Sequence, residues 1–129
     1  MKKPDIRNIL VPIDFSRLSK PAIETAKSLA RKFDAAVHLV HVHEFYYPAG
    51  FMAPPAALPV PIITYRDKAA TRLLRDLKAL AKRNGLPTEN CHVLSGAPTF
   101  HEICHLARAI AVDLIVMPTH GYTGITHFF

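Results

Sequence analysis

Gly121 and Gly124, with Thr119 and Thr123 beside them, make the segment of this chain best suited to hold a phosphate. Glycine lets backbone N–H groups approach an anion closely and converge on it, and the threonine hydroxyls add donors. A glycine pair at this spacing more often marks an ordinary turn, so the segment takes its meaning from the elements that position it. A second chemistry is suggested by histidines and thiols: His41 and His43 two apart, His101 and His105 four apart, and Cys91, His92 and Cys104. Converging, such groups would suit zinc, but their spacing matches no compact zinc motif, and zinc is not expected. Nucleophilic catalysis has less support. Ser95-Gly96 lacks the flanking glycine of a nucleophile elbow, Cys104 reads as a small hydrophobe within a helix, and no Walker-type loop with its lysine is present. No catalytic residue is assigned.

The elements alternate. Ile6 to Ile13 is a short run of Ile, Leu and Val, the pattern of a strand buried on both faces, and it ends at Pro12-Ile13-Asp14. Ser16 or Ser19 can cap the helix that follows, which carries Pro21 near its first turn and Ala22, Ile23, Ala26, Leu29, Ala30 and Phe33 at helical spacing. Ala36 to His43 reads as the second strand. Ile62 to Asn84 reads as a long helix with Leu73, Leu77, Leu80 and Ala81 on one side and Gly85 as its terminator. Cys91 to Leu94 is a third strand, Gly96-Ala97-Pro98 turns into a helix reaching about Ile110, and Asp113 to Met117 is a fourth strand.

Strands alternating with helices predict an α/β fold: a doubly wound, mostly parallel sheet with helices on both faces. In such sheets ligands lie outside the carboxyl ends of the strands, where the strand order reverses. The residues to examine are therefore Asp14, Val42 and His43, Ser95 and Gly96, and Thr119-His120-Gly121; His43 and His120 are the histidines best placed to touch a ligand. Between the second strand and the long helix, residues 44–61 carry Pro48, Pro54, Pro55, Pro59 and Pro61, which a helix or central strand would not tolerate. They are expected to form a mobile surface loop; Tyr46, Tyr47, Phe51 and Met52 would serve it as a lid or a docking point.

With 129 residues, half of them hydrophobic and a fifth charged, one domain spanning 1–129 with one core is expected, and wholesale disorder is excluded. No apolar run approaches the roughly eighteen residues of a membrane span, and no signal-peptide pattern precedes Asp14, so a cytoplasmic setting is expected. Two cysteines do not make a disulfide framework. The net charge of +6 favours anionic partners in general. Its carriers, among them Arg66, Lys68, Arg72, Arg75, Lys78, Lys82 and Arg83, are spaced along a helix as a solvated face would be. With no aromatic interleaving and no helix-turn-helix spacing, neither nucleic acid nor membrane is expected as a partner.

Three segments resemble the universal stress protein family: Ile9-Leu-Val-Pro-Ile-Asp-Phe-Ser16, His38-Leu-Val-His-Val42, and Asp113-Leu-Ile-Val-Met-Pro-Thr-His-Gly-Tyr-Thr-Gly124. The resemblance extends over the whole chain. It implies a Rossmann-like domain of the adenine-nucleotide α-hydrolase type in a cytoplasmic, homodimeric stress-response protein, some relatives of which bind ATP or AMP. Carried over by position, it places a nucleotide against Pro12, Ile13 and Asp14, against the main chain at Val42 with His43, and against Met117 and the loop Thr119, His120, Gly121, Thr123 and Gly124. Asp14 would serve the ribose hydroxyls or a bound Mg²⁺. Slow hydrolysis is the most enzymatic activity this arrangement implies, with no general base to name.

Two departures bear on that reading. Aligning the family's His-Gly pair on His120-Gly121 sets Pro118 where the motif has its first glycine, and proline has no N–H to donate. The motif's closing Gly-Ser/Thr would fall past Phe129, as would the family's last helix and fifth strand, so a domain truncated at its C-terminus is expected. The alternative function is a dimer that binds no nucleotide and acts through protein contacts.

Overall fold

The run around Ile9 becomes a strand because both of its faces are covered: Ile9, Leu10 and Val11 are all 0% exposed. A computed structural model describes residues 2–44 and 60–118. In order, the elements are β1 (Asn8–Pro12), α1 (Ser19–Phe33), β2 (Ala36–His43), α2 (Val60–Arg83), a 3-10 turn (Thr88–Asn90), β3 (Cys91–Ser95), α3 (Thr99–Ala109) and β4 (Leu114–Ile115). The sheet order is β3-β2-β1-β4, with every pairing parallel. The chain winds outward through β2 to β3, then crosses back to place β4 on the far side of β1. The expected doubly wound α/β architecture is thus present among the described residues.

Alternation along the strands divides the core. Ile9, Val11, Ile13, Val37 and Leu39 face Ala22, Ile23, Ala26 and Ala30 of α1 and Leu77 and Ala81 of α2. Leu10 and Val40, on the other side of the sheet, pack against Ile103 and Leu106 of α3. Asp113 ties the start of β1 to the start of β4: its Oδ2 accepts the main-chain N–H groups of Arg7 at 2.8 Å and Asn8 at 3.0 Å, and its own N–H donates to Asn8 O at 2.9 Å.

Several boundaries move. The second strand is where the alternation puts it, while β1 and β4 are shorter than their apolar runs, because pairing stops at Asn8 and Pro12 and, on β4, at Ile115. α2 begins at Val60, taking in Pro61, which the first turn accepts because N–H groups there have no helical partner. Residues 45–59, the rest of the expected loop, lie outside the described residues. Of the two serines expected to cap α1, Ser16 accepts the Leu18 N–H on its hydroxyl at 3.3 Å just ahead of the helix, whereas the Ser19 hydroxyl turns back to Asp14; the cap position itself is Leu18, which makes no side-chain bond. Gly85 ends α2 as expected, at φ +69, a conformation that costs glycine little.

On the α3 side of the sheet, a directed hydrogen-bond chain crosses three strands. Asn8 Nδ2 donates to Ala111 O at 3.3 Å, which turns its Oδ1 toward His38 Nε2, also at 3.3 Å. His38 Nε2 therefore carries the proton, and His38 Nδ1 accepts from His92 Nε2 at 3.2 Å. Burial, with the neighbouring His92, pushes the His38 imidazole below its ordinary value of 6.5, and burial lowers His92 as well. The sign follows from linkage. Below pH 6.5 the unfolded chain takes up protons that the folded chain refuses, so stability is full above that pH and falls as pH drops through it. Urea unfolding at pH 7.5 and 5.5 is expected to show a lower midpoint at 5.5, and His92→Gln to make the difference smaller.

Candidate functional site

The sheet order reverses between β1 and β4, so the cleft at their carboxyl ends is the topological switch point. β1 continues past its last strand residue through Ile13, which is buried and whose N–H donates to Val40 O at 2.7 Å. The chain then turns at Asp14. Its Oδ1 accepts the Ser16 N–H at 2.9 Å and the Ser19 hydroxyl at 3.2 Å, closing a turn in which Phe15 takes the left-handed φ of 62°. Burial pushes the Asp14 carboxyl up, but the bonds from Ser16 and Ser19 outweigh it and hold the group below the ordinary carboxylate range. Asp14 is thus an anion at neutral pH, exposed, with Oδ2 making no hydrogen bond among the described residues.

His41 fastens this turn to β2. Its Nδ1 lies 2.6 Å from Ile13 O, so that nitrogen carries a proton, and the Phe15 ring packs on the imidazole with centroids 4.8 Å apart. Register pairing of β1 with β2 stops at Pro12 and Val40, whereas β2 runs on beside β3 to His43. Val42 and His43 therefore extend beyond the paired part of β1, on the same edge of the sheet as Asp14. Across the switch point, Val116 donates to Leu10 O at 2.9 Å, and Met117 follows, 56% exposed.

Pro12, Ile13, Asp14, Val42, His43 and Met117 thus stand at the carboxyl ends of β1, β2 and β4. Thr119, His120, Gly121, Thr123 and Gly124 lie outside the described residues. Ser95 and Gly96 are at the end of β3, where Gly96 N–H donates to His43 O at 3.2 Å. A Cβ at Gly96 would stand 2.5 Å from Glu102 Oε1, so a larger residue there would displace the Glu102 side chain. His101, Cys104 and His105 are exposed on α3, so Cys104 is not the core hydrophobe expected of it; Ile103 and Leu106 take the inward positions. Among the described residues no three His, Cys, Asp or Glu side chains gather into a group that could hold a metal ion.

Glu44 and Thr99 escaped sequence reasoning, because they are 55 positions apart and neither belongs to a motif. Glu44 Oε1 accepts the Thr99 N–H at 3.0 Å and the Thr99 hydroxyl, so a residue just after β2 caps α3, whose own cap position, Pro98, has no side-chain hydrogen-bonding group. Glu44→Ala is expected to lower stability by about 1 kcal/mol, the usual worth of such a cap, read as a shift of the urea midpoint.

The comparisons with known proteins agree with this geometry. A model of the universal stress protein family matches residues 5–129. Universal stress protein A homolog 1 of Coxiella burnetii is 33% identical over 123 residues, covering 92% of this chain and 80% of the relative. Among solved structures, a universal stress protein family member from Burkholderia pseudomallei superposes with a TM-score of 0.62 at 25% identity, covering 92% of this chain and 86% of that one. A universal stress protein family protein from Arabidopsis thaliana, solved with AMP bound, has a TM-score of 0.52 at 19% identity, covering 95% and 82%.

Proposed function

The chain belongs to the universal stress protein family, and from that premise we propose that it is a stress-response binding module for an adenine nucleotide, ATP or AMP, held at the switch point. The observation that carries the reading is Asp14: an ionised carboxylate at the end of β1 whose Oδ1 is committed to its own turn and whose Oδ2 makes no hydrogen bond among the described residues. The carboxylate suits the ribose hydroxyls, or a Mg²⁺ ion arriving with the phosphates. Val42 and His43, past the end of β1 pairing, present main chain of the kind that meets an adenine edge. The AMP bound to the Arabidopsis protein supports the same ligand class. No residue of this arrangement is assigned a catalytic role, and the reading is of a binder.

Pro118 favours a second reading, a homodimer that binds no nucleotide and works through protein contacts, because a proline denies the phosphate one N–H donor. Calorimetric titration of ATP and of AMP, with and without Mg²⁺, into the native chain and into Pro118→Gly separates the two. Binding by the native chain is expected. Binding by Pro118→Gly alone would transfer the assignment to the second reading.

A further inference from the structure

The basic residues of α2 form a surface that the nucleotide reading does not use. Between Lys68 and Arg83 the helix carries Lys68, Arg72, Arg75, Lys78, Lys82 and Arg83 against one acid, Asp76, a net +5 of the chain's +6. All six are exposed. At 3.6 residues per turn they fall within an arc of about 140°, opposite the Leu77 and Ala81 side that enters the core, and Asp76 lies at the arc's edge. At 1.5 Å per residue the row runs about 22 Å. Lys68, Thr71, Arg72 and Arg75 line an open groove of about 410 Å³, with room for a phosphate group.

We propose that this face of α2 binds the phosphate backbone of a nucleic acid duplex, without reading its sequence. In the sequence the net charge favours anionic partners in general, and the spacing of its carriers along a helix, with no recognition motif, reads as a solvated face; in the structure those carriers gather on one exposed side of α2, opposite the side that enters the core. A face of cations interrupted only by Thr71 and the small Ala79, with no aromatic residue between Lys68 and Arg83, asks for a partner with regularly spaced negative charge and nothing to insert. A duplex backbone is such a partner. Single strands are held by aromatic stacking, and between Lys68 and Arg83 the helix carries no aromatic residue; a membrane-surface helix needs its apolar side free, whereas Leu77 and Ala81 of α2 are spent on the sheet. The proposal does not rest on Asp14 or on the nucleotide.

The test is fluorescence anisotropy of the full chain with a labelled 16-base-pair DNA duplex across a salt series. About five phosphate contacts predict a slope of log affinity on log salt near −4.5, which is about a 500-fold loss between 50 and 200 mM salt. The triple variant Lys68→Glu, Arg72→Glu, Arg75→Glu is expected to lose about 100-fold or more at 50 mM. Reversal of the exposed Lys20, Arg31 and Lys32 of α1, an identical change in net charge, is expected to cost about tenfold at most. Circular dichroism checks both for native helix content, and Arg72→Glu against Arg31→Glu repeats the comparison if a triple variant does not fold. Equal losses in the two variants would reduce the effect to summed charge and overturn the proposal. So would no binding by the native chain, or tighter binding to phosphatidylglycerol vesicles or polyglutamate than to the duplex.

Discussion

Asp14→Asn is expected to weaken ATP and AMP binding by at least about tenfold while leaving the fold intact. A hydrogen bond to a charged group is worth about 1.5–3 kcal/mol, and about 1.4 kcal/mol is a factor of ten. The substitution removes the charge that would hold ribose or metal. It spares the local turn, because an asparagine Oδ1 can still accept from the Ser16 N–H and the Ser19 hydroxyl as the carboxylate does. Titration of each nucleotide into both proteins reads the affinity, and urea unfolding reads the fold. Equal affinities would remove Asp14 from the site.

The largest expected effect on stability lies at Leu77. It is fully buried where α2 meets the sheet, in the cluster with Ile9, Val11, Leu39 and Ile23. Leu77→Ala removes three carbons from a site walled by strand side chains that cannot collapse inward, and the cost is expected to be about 3 kcal/mol. Equilibrium urea unfolding measures it. A loss under about 1 kcal/mol would mean that α2 is not seated on the sheet as described, and the positions of Cys91 and Val93, which pack against the same cluster, would need revision.

What the sequence made legible were features set by local periodicity. β2 could be read to the residue because Val37, Leu39 and Val40 must be buried, and Gly85 stood out because a helix end needs a positive φ. The switch point followed from the alternation of elements, so Asp14 and Val42 could be singled out before any coordinates. The Asp14 turn was less legible. Ser16 and Ser19 looked like helix caps, but both bond within a turn built on the carboxylate, since an acceptor two residues back competes well for the Ser16 N–H. Contacts between distant positions left no signal: Glu44 with Thr99, and His38 with His92 and Asn8, join residues that only the sheet brings together. The basic row of α2 was visible as composition, and its significance came from knowing which side of the helix the sheet had taken.

A nucleotide held at the carboxyl ends of β1, β2 and β4 would perturb the amides around it, and amide chemical-shift mapping during an AMP titration tests that most directly. The prediction is a set of saturable shifts at Ile13, Asp14, Val42, His43 and Met117, with Asn8, His38 and His92 at the opposite end of the strands unchanged. Shifts confined to the strand starts or to the basic face of α2, or no shifts at all, would contradict it.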